Sequence, residues 1–416
     1  MNGNDIIALG LGLQSPWEIV GQTLNTEKHP HELHLTIQAK RGTQYPCPEC
    51  GTLSYTHDFK EMTWRHLNFF QHHCYITAKV PRVRCLEHGV KQVLVPWARK
   101  GSHFTLLFEQ AAMLFVREMP VLTTARLMEI DDKKLWRILE HYVRHGIEHL
   151  DLKELSAISL DETQSRKGHR YVSVFLDCDA PEKPVVFAIP GKGKEVLAAF
   201  KKHLIAHGGH AENIVEVVSD MSSAFIAGVK LHFTNSNHTV DWFHVVQLFN
   251  KALDSVRRAE AKQVAMPKAT RFATLKKADG TFTEKQIDAL NELVEMNLET
   301  SKAWRIKEML RWVRQAETQQ AARWRLTNFL NEASRIADGI PLLQPICKAL
   351  KTVGKHREAI LARWVSEHSN ARIEAFNGLF QAAKRRARGY RNDATFVSII
   401  YLLAAPIQNL LQIHTK

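Results

Sequence analysis

Three carboxylates, Asp161, Asp220 and Glu374, are the residues of this chain whose type and setting could do chemistry together. Each aspartate closes an apolar run of strand character, Ile158-Ser159-Leu160-Asp161 and Ile214-Val215-Glu216-Val217-Val218-Ser219-Asp220. Clustered carboxylates hold hard divalent cations, Mg²⁺ or Mn²⁺. A pair of such ions about 3.5–4 Å apart activates an attacking oxygen and stabilises a leaving oxygen at a phosphodiester. A lone aspartate at a strand end is more often a turn former, and Asp177 and Asp179 belong to that class. Asp161 and Asp220 leave it because they occur together, with a carboxylate helix to complete the set.

The elements that must position them can be read from the spacing. Tyr171 to Leu176 and Pro184 to Ile189, joined by the polar turn Asp179-Ala180-Pro181, read as a hairpin, so three consecutive antiparallel strands are expected. Lys194 to His207 carries Val196, Leu197, Phe200, Leu204 and Ile205 on one helical face and stops at Gly208-Gly209. A crossover helix of that length makes the strand ending at Asp220 parallel to its neighbour; beside the first strand, it would set the two aspartates side by side. Strand, strand, strand, helix, strand, helix, strand is the order of the ribonuclease-H-like fold. Asp241 and His244, after the fifth strand, either line the site or begin a helix.

The third carboxylate should come from a later helix. Glu374 lies in a segment from Ser369 to Asn392 that Ser369 or Asn370 can cap and Gly389 can end. Ile373, Phe376, Phe380, Ala383 and Ala387 form its apolar stripe, while Glu374, Asn377, Gln381, Lys384 and Arg388 share the adjoining face, where Lys384 and Arg388 would meet phosphate. Glu367 and Glu358 compete for the role.

These residues carry a resemblance. Asp161 in Leu-Asp-Glu-Thr, Asp220 in Ser-Asp-Met-Ser, the run Val240 to His244, and the Glu374 helix with Lys384, Arg388-Gly389 and Asn392 resemble the ISL3 family of bacterial insertion-sequence transposases, over nearly the whole chain. The resemblance implies a DDE-type enzyme that cuts and joins double-stranded DNA at an element's terminal inverted repeats and inserts it into target DNA. Asp161, Asp220 and Glu374 would hold the catalytic magnesium, and a homodimer or higher oligomer on DNA is expected. The rival readings are a structure-selective nuclease or resolvase of the same fold, and an inert transposase-derived DNA-binding regulator.

The rest of the chain fits a DNA partner. A formal net charge of +13 and a pI near 9.4 suggest a polyanion, nucleic acid or membrane surface. The longest apolar run, Phe396 to Ala405, is too short to span a bilayer, so a cytoplasmic protein with no membrane partner is expected. Six unevenly spread cysteines do not make a disulfide framework. Instead Cys47-x₂-Cys50 and Cys85-x₂-His88, each followed by a turn glycine, could give structural Zn²⁺ four tetrahedral ligands, with Cys74 an alternative to His88 and a ribbon strand at Cys74 to Val83. Before them, His34 to Ile37 alternates as a strand would.

Thr105 to His145 reads as three helices, the last two, Thr123 to Met128 and Asp132 to Val143, being compatible with a helix-turn-helix that presents Lys133, Lys134 and Arg137 to DNA. Glu284 to Leu298, Ser301 to Arg314 and Gln319 to Ser334 read as helices of an insertion, with Met266 to Gly280 an exposed excursion and Trp304, Trp312, Trp324 and Trp364 core residues. Asp393 to Ile413 should form an apolar helix that packs on the sheet. The expected fold is therefore multidomain α+β. It comprises a zinc ribbon at 1–100, a helix-turn-helix at 101–150, a ribonuclease-H-like α/β core at 151–250 and 366–416, and a mainly α insertion at 251–365.

Overall fold

The computed structural model describes residues 3–40, 42–276, 282–366, 368 and 371–406. They fall into two compact units that divide between Tyr142 and Val143.

The first unit contains α1 (Gly3–Gly10), β1 (Trp17–Asn25), β2 (Glu32–Ala39), β3 (Gln44–Pro46), β4 (Leu53–Phe69), β5 (His72–Cys85) and β6 (Gly89–Gln92). Three helices follow, α2 (Leu106–Glu118), α3 (Val121–Leu127) and α4 (Asp132–Glu148), the last running across the division. The strands form one sheet of order β1-β2-β5-β4-β3 with β6 on the side of β5. Alternate residues of β5, Cys74, Ile76, Ala78 and Val80, are buried, and Trp17, Trp64 and Trp97 close the core edge to face. The expected strands at 34–37 and 74–83 lie within longer ones. The fully buried carboxylate of Glu109 in α2 accepts hydrogen bonds from Arg99 Nε (2.8 Å), Ser102 Oγ (2.6 Å) and Tyr142 OH (2.9 Å), which ties α2 to α4.

The second unit is built on β7 (Ala157–Arg166), β8 (Arg170–Asp177), β9 (Val185–Pro190), α5 (Glu195–Ala206), β10 (Glu216–Ser219), α6 (Ser223–His232) and β11 (Asn237–Val240). The sheet order is β11-β10-β7-β8-β9: β7, β8 and β9 are antiparallel, and β10 and β11 run parallel to β7 through the crossover helices. Ile158, Leu160, Phe175 and Val217 of the strands pack against Phe200 and Leu204 of α5 and Phe225 of α6. The parallel ladder between β7 and β10 is short. Its last pair is Ser159 with Val218, so β7 from Asp161 to Arg166 continues with no strand on that side.

The chain then turns helical: α7 (Trp242–Glu260), α8 (Thr270–Leu275), α9 (Glu284–Glu295), α10 (Glu299–Arg314), α11 (Gln319–Ala337), α12 (Gln344–Lys355) and α13 (Arg357–Leu361). Phe249 and Leu253 of α7, Ile306 and Leu310 of α10, Phe329 of α11 and Leu350 of α12 make a second core. The start of α10 is held by Glu260, the last residue of α7, whose buried carboxylate accepts from the amides of Glu299 (2.7 Å) and Thr300 (2.8 Å) and from Thr300 Oγ1 (2.6 Å). Two expectations need correction. The stretch from Met266 is not an open excursion: Thr270, Ala273 and Thr274 of α8 are buried, and Lys307 Nζ donates to the carbonyls of Thr274 and Lys276. Its residues 277–280 lie outside the described ones. Trp312 and Trp324 are not core but form an exposed edge-to-face pair, 5.4 Å between centroids.

The chain returns to the sheet in α14 (Ala371–Arg386) and α15 (Asp393–Ala404). Asn392 caps α15, and Tyr401 Oη accepts from the amide of Ala188 in β9 at 3.0 Å. The proposed continuation of α15 to Ile413 lies outside the described residues. Among those residues, no helix is long and apolar enough to cross a membrane.

Two predictions follow from this packing. Glu260→Ala strands two buried donors and one half-buried one and should cost about 1–3 kcal/mol in urea unfolding, whereas Glu358→Ala, which breaks an exposed pair with Arg323, should cost clearly less. Equal losses would show that the cap does not hold the insertion. Second, burial, with the charge of His207 beside one and of His356 and Lys230 beside the other, drops His203 and His238 from 6.5 to about 4. Between those values the unfolded chain takes up protons that the fold refuses, so this stability is complete above pH 6.5 and is lost as the pH falls toward 4. The unfolding midpoint should drop between pH 7 and pH 5, and less steeply in His203→Gln/His238→Gln; an unchanged slope in that variant would remove the histidines as the cause.

Candidate functional site

Asp161 does not end its strand, as the sequence suggested, but sits midway along β7, opposite Val174 of β8. The strand continues because its outer half is a hairpin arm, paired with β8 as far as Arg166 with Arg170, with Thr163 and Ser165 turned inward. What ends near Asp161 is the parallel ladder. Asp161 stands two residues beyond its last pair on β7 and Asp220 two residues beyond it on β10, so both aspartates leave the carboxyl end of the ladder at the same level. Crevices at the carboxyl ends of parallel strands are where ligands bind in open α/β sheets.

Helix α14 covers the exposed side of β7 at that place. Asn377 Nδ2 donates to Asp161 Oδ2 (2.9 Å), Gln381 Nε2 donates to Thr163 Oγ1 and the carbonyl of Gln164 (both 2.8 Å), and Lys384 Nζ also bonds that carbonyl. One backbone carbonyl of this part of β7, that of Gln164, is thus met by side chains of α14. Ile373, Phe380 and Ala383 are buried on the other face of the helix, as its stripe predicted. Its end falls at the left-handed pair Arg388 (φ 56°) and Gly389 (φ 99°), with the amide of Gly389 bonded to the carbonyl of Lys384 at 2.9 Å. The expected caps, Ser369 and Asn370, lie outside the described residues.

This docking brings Glu374 toward Asp161, whose charge makes Glu374 harder to ionise. Burial is the largest cause of the raised pKa of both. Repulsion from Asp220 adds to it at Asp161, and repulsion from Asp241 and Asp161 adds to it at Glu374, while the positive charge of His244 favours both anions. Asp220 itself accepts from the amide of Ser222 (2.9 Å) at the start of α6. Asp241 caps α7 by accepting from the amide of Phe243 (2.7 Å), and it lines a cavity with Glu374.

Three buried polar atoms here, Glu374 Oε1, Asn377 Oδ1 and His244 Nε2, have no hydrogen-bond partner among the described residues. The acidic set remains open: the described ligand atoms that gather three or more within 4.8 Å do so only at the cysteines. Sequence reasoning missed Glu162, whose carboxyl is pushed up to about 7 by burial and by Asp220 and Asp161, against the pull of Lys192. Strand alternation hid it, since a neighbour of Asp161 should face away.

Of the rival third acids, Glu358 is engaged by Arg323 at 2.6 and 2.7 Å in an exposed ion pair on α13, and Glu367 lies outside the described residues. Lys384 bonds the carbonyl of Gln164 through an ammonium at the surface, and Arg388, with Arg385 and Arg386 beside it, is exposed.

In the first unit Cys47, Cys50, Cys85 and His88 come together with all ligand atoms within 4.8 Å of one another. A zinc tetrahedron with bonds of about 2.3 Å has edges of about 3.8 Å. The separations here are 3.6 Å for Cys50 to Cys85, 3.6 Å for Cys85 to His88 Nδ1 and 4.0 Å for Cys47 to His88 Nδ1. The Thr52 hydroxyl and amide hold the Cys50 thiol down to about 6, favouring the thiolate that zinc requires. His88 Nε2 faces Glu49 at 3.7 Å, which orients the ring as a carboxylate behind a metal-bound histidine does. Cys74, the alternative ligand, is buried in β5 with its thiol pushed up to about 11 by burial, outside this group. Lys133, Lys134 and Arg137 are exposed on α4, after a tight turn in which Glu129 takes φ 54°.

Comparison with known proteins gives three family matches along the chain. Residues 44–88 match the zinc-finger of transposase IS204/IS1001/IS1096/IS1165, residues 93–143 the helix-turn-helix domain of transposase family ISL3, and residues 158–400 the ISL3 transposase domain. The chain is similar to the transposase for insertion sequence element IS1001 of Bordetella parapertussis, 24% identical over 362 residues, covering 84% of this chain and 86% of that protein. It is also similar to the transposase for insertion sequence element IS1557 of Mycobacterium tuberculosis, strains CDC 1551 / Oshkosh and ATCC 25618 / H37Rv. Each is 25% identical over 390 residues, covering 86% of this chain and 85% of that protein.

The cysteine cluster yields a metal prediction. The purified protein should carry one zinc per chain by elemental analysis, Cys85→Ala should lose it, and Cys74→Ala should keep it. Zinc retained in Cys85→Ala and lost from Cys74→Ala would transfer the site to Cys74.

Proposed function

The chain belongs to the ISL3 family of insertion-sequence transposases, and from that premise we propose that it cuts DNA at terminal inverted repeats and joins the freed end to target DNA at the site formed by Asp161, Asp220 and Glu374. The observation that carries this reading is the common level of Asp161 and Asp220 at the end of the parallel ladder, with α14 docked across it from Glu374 to Lys384. We read the strand order β11-β10-β7-β8-β9 as a ribonuclease-H-like core, occupying 151–250 and 366–416 and interrupted by the helical insertion at 251–365. The zinc ribbon at 1–100 and the helix-turn-helix at 101–150, with Lys133, Lys134 and Arg137 on its second helix, would recognise the repeats.

The donor set suits Mg²⁺ or Mn²⁺. It is all carboxylate oxygen, and Glu374 Oε1 is buried with no partner among the described residues. Asp161, Asp220 and Glu374 would hold the ions, which supply activation of the attacking oxygen and stabilisation of the leaving one. A cation would also favour the charged forms that burial and mutual repulsion now disfavour.

The chain's own residues do the positioning. Asn377 fixes Asp161 Oδ2, leaving the other oxygen bonded to the amide of Glu162 (2.7 Å), and this double hold sets the carboxylate plane. Gln381 and Lys384 lock the helix that carries Glu374 to β7. Exposed Arg385, Arg386 and Arg388 at the end of α14 place positive charge where the backbone of the cut strand would pass. Two inverted repeats offer two copies of one binding site, so a homodimer or higher oligomer on DNA is the assembly proposed.

The test uses a duplex ending in the element's own repeat, with Mg²⁺. Several kcal/mol of charge stabilisation rest on the acids, so Asp161→Asn should lower cleavage by at least about 100-fold while leaving repeat binding nearly intact. Cleavage at the normal rate would remove Asp161 from the site. Cutting by the unaltered protein that ignores the repeat sequence would favour a structure-selective nuclease, and tight binding without any cutting an inert regulator.

A further inference from the structure

A cavity of about 540 Å³ opens beside the acidic set, its lining including Asp241 and Glu374 together with Trp242, Phe243, Trp364, Arg314 and Arg363. Its volume lies in the range of small-molecule sites, about 300–1,000 Å³. Two of its rings are fixed. Trp242 and Trp364 meet edge to face, 5.6 Å between centroids at 84°, and the indole nitrogen of Trp364 donates to the carbonyl of Ala316 at 2.7 Å. Phe243, on the first turn of α7, is half exposed, so its ring is open to a further planar group. Among the described residues neither Arg314 nor Arg363 is in an ion pair; the one bond of the Arg363 guanidinium is a long one, 3.4 Å, to the carbonyl of Ser366.

An occupant must therefore be flat and apolar at one end, anionic at the other, and placed against carboxylates that a divalent cation would share. A nucleotide has that form. A base stacked in a duplex cannot enter such a cavity, and enzymes that need one base in a pocket draw it out of the stack. Resting on the assignment of the acids above, we infer that this cavity receives one nucleotide drawn out of the element-end duplex beside the cut, with its base against Phe243 and its phosphate between Arg314 and Arg363. The extrusion would unpair the end and swing its backbone toward Glu374, so the cavity selects DNA by how easily that position opens.

The experiment measures binding with no Mg²⁺ or Mn²⁺ added and no chelator, which leaves the zinc of the ribbon in place, so no cutting occurs and the result does not depend on which acids hold metal. The probes are the repeat-ended duplex and a series of the same duplex, each lacking one base within a few nucleotides of the cut. Phe243→Ala should weaken binding of the intact duplex by roughly tenfold, the worth of one base stacked on an aromatic ring. At one position of the series that loss should vanish, because the base that used the ring is gone. Arg363→Ala should weaken the intact and the base-lacking duplex alike, since the phosphate remains. A Phe243→Ala loss of equal size at every position, or no loss at all, would overturn the inference. Phe243→Trp, which keeps a ring, should bind like the unaltered protein; weakening by Phe243→Trp equal to that of Phe243→Ala would also overturn it. Failure of the acid assignment shows separately, as Asp161→Asn protein that still cuts in Mg²⁺.

Discussion

Backbone left without a ladder partner in the middle of a sheet is the constraint from which the second unit is built. The ladder of β7 with β10 ends at Ser159, and the strand runs on for seven more residues to Arg166. A strand edge with unmet polar groups must be paired, covered or exposed to water. Here α14 covers it with amide and ammonium side chains, which bond the Gln164 carbonyl and the Thr163 hydroxyl. The same contact places a glutamate near an aspartate. Covering the edge and bringing Glu374 toward Asp161 are thus one contact.

That arrangement makes the site depend on the insertion. More than a hundred residues separate the end of β11 from the start of α14, and they contain their own apolar core. Helix α7 belongs to both halves. Its cap, Asp241, borders the cavity with Glu374; its buried face, Phe249, Leu253 and Val256, anchors α10, α11 and α12; and its last residue, Glu260, holds the start of α10. A loop of that length could close at small entropic cost but would leave α14 unplaced. A packed helical domain instead delivers the returning chain in a fixed direction. Contacts of such long sequence separation also imply that the acids come together late in folding.

Much of this could be read from residue pattern because the buried elements obey it. The alternation of β5, the strand order through α5, and the stripe of Ile373, Phe380 and Ala383 follow from burial on one face. The failures have particular causes. The long β4 was missed because both faces carry large residues, with Tyr55 and Phe59 exposed, and because bulges after Thr56 and His66 break its period. The length of β7 was missed because its outer half, Glu162 to Arg166, is polar, and a polar strand half is intelligible only once α14 is known to cover it. The bond of Lys384 to the Gln164 carbonyl is not legible in the sequence, because a partner 220 residues away leaves no local trace. Trp312 and Trp324 were placed inside by composition, yet they are exposed where α10 and α11 meet, with Arg325 over the Trp312 ring at 5.4 Å. The cysteine and histidine cluster was the most legible part, since four ligands around one ion permit few spacings.

The unpaired polar atoms at the acidic site show where stability has been given up. Glu374 Oε1, Asn377 Oδ1 and His244 Nε2 are buried without partners among the described residues, and each such group costs about 1–3 kcal/mol. Groups of this kind persist when the surrounding packing holds them and a bound species completes them. Both conditions are visible in the helices that carry them. Glu374 and Asn377 ride on α14, whose adjoining face is buried at Ile373 and Phe380; His244 rides on α7, next to Val245, which is buried in the helical core. Neither helix can rotate to relieve its polar atoms without exposing apolar surface worth about 25 cal/mol per Å². The apolar contacts of the insertion and of α14 thereby keep the donors aimed inward, and the polar cost at the site is sustained by cores that have no chemistry of their own.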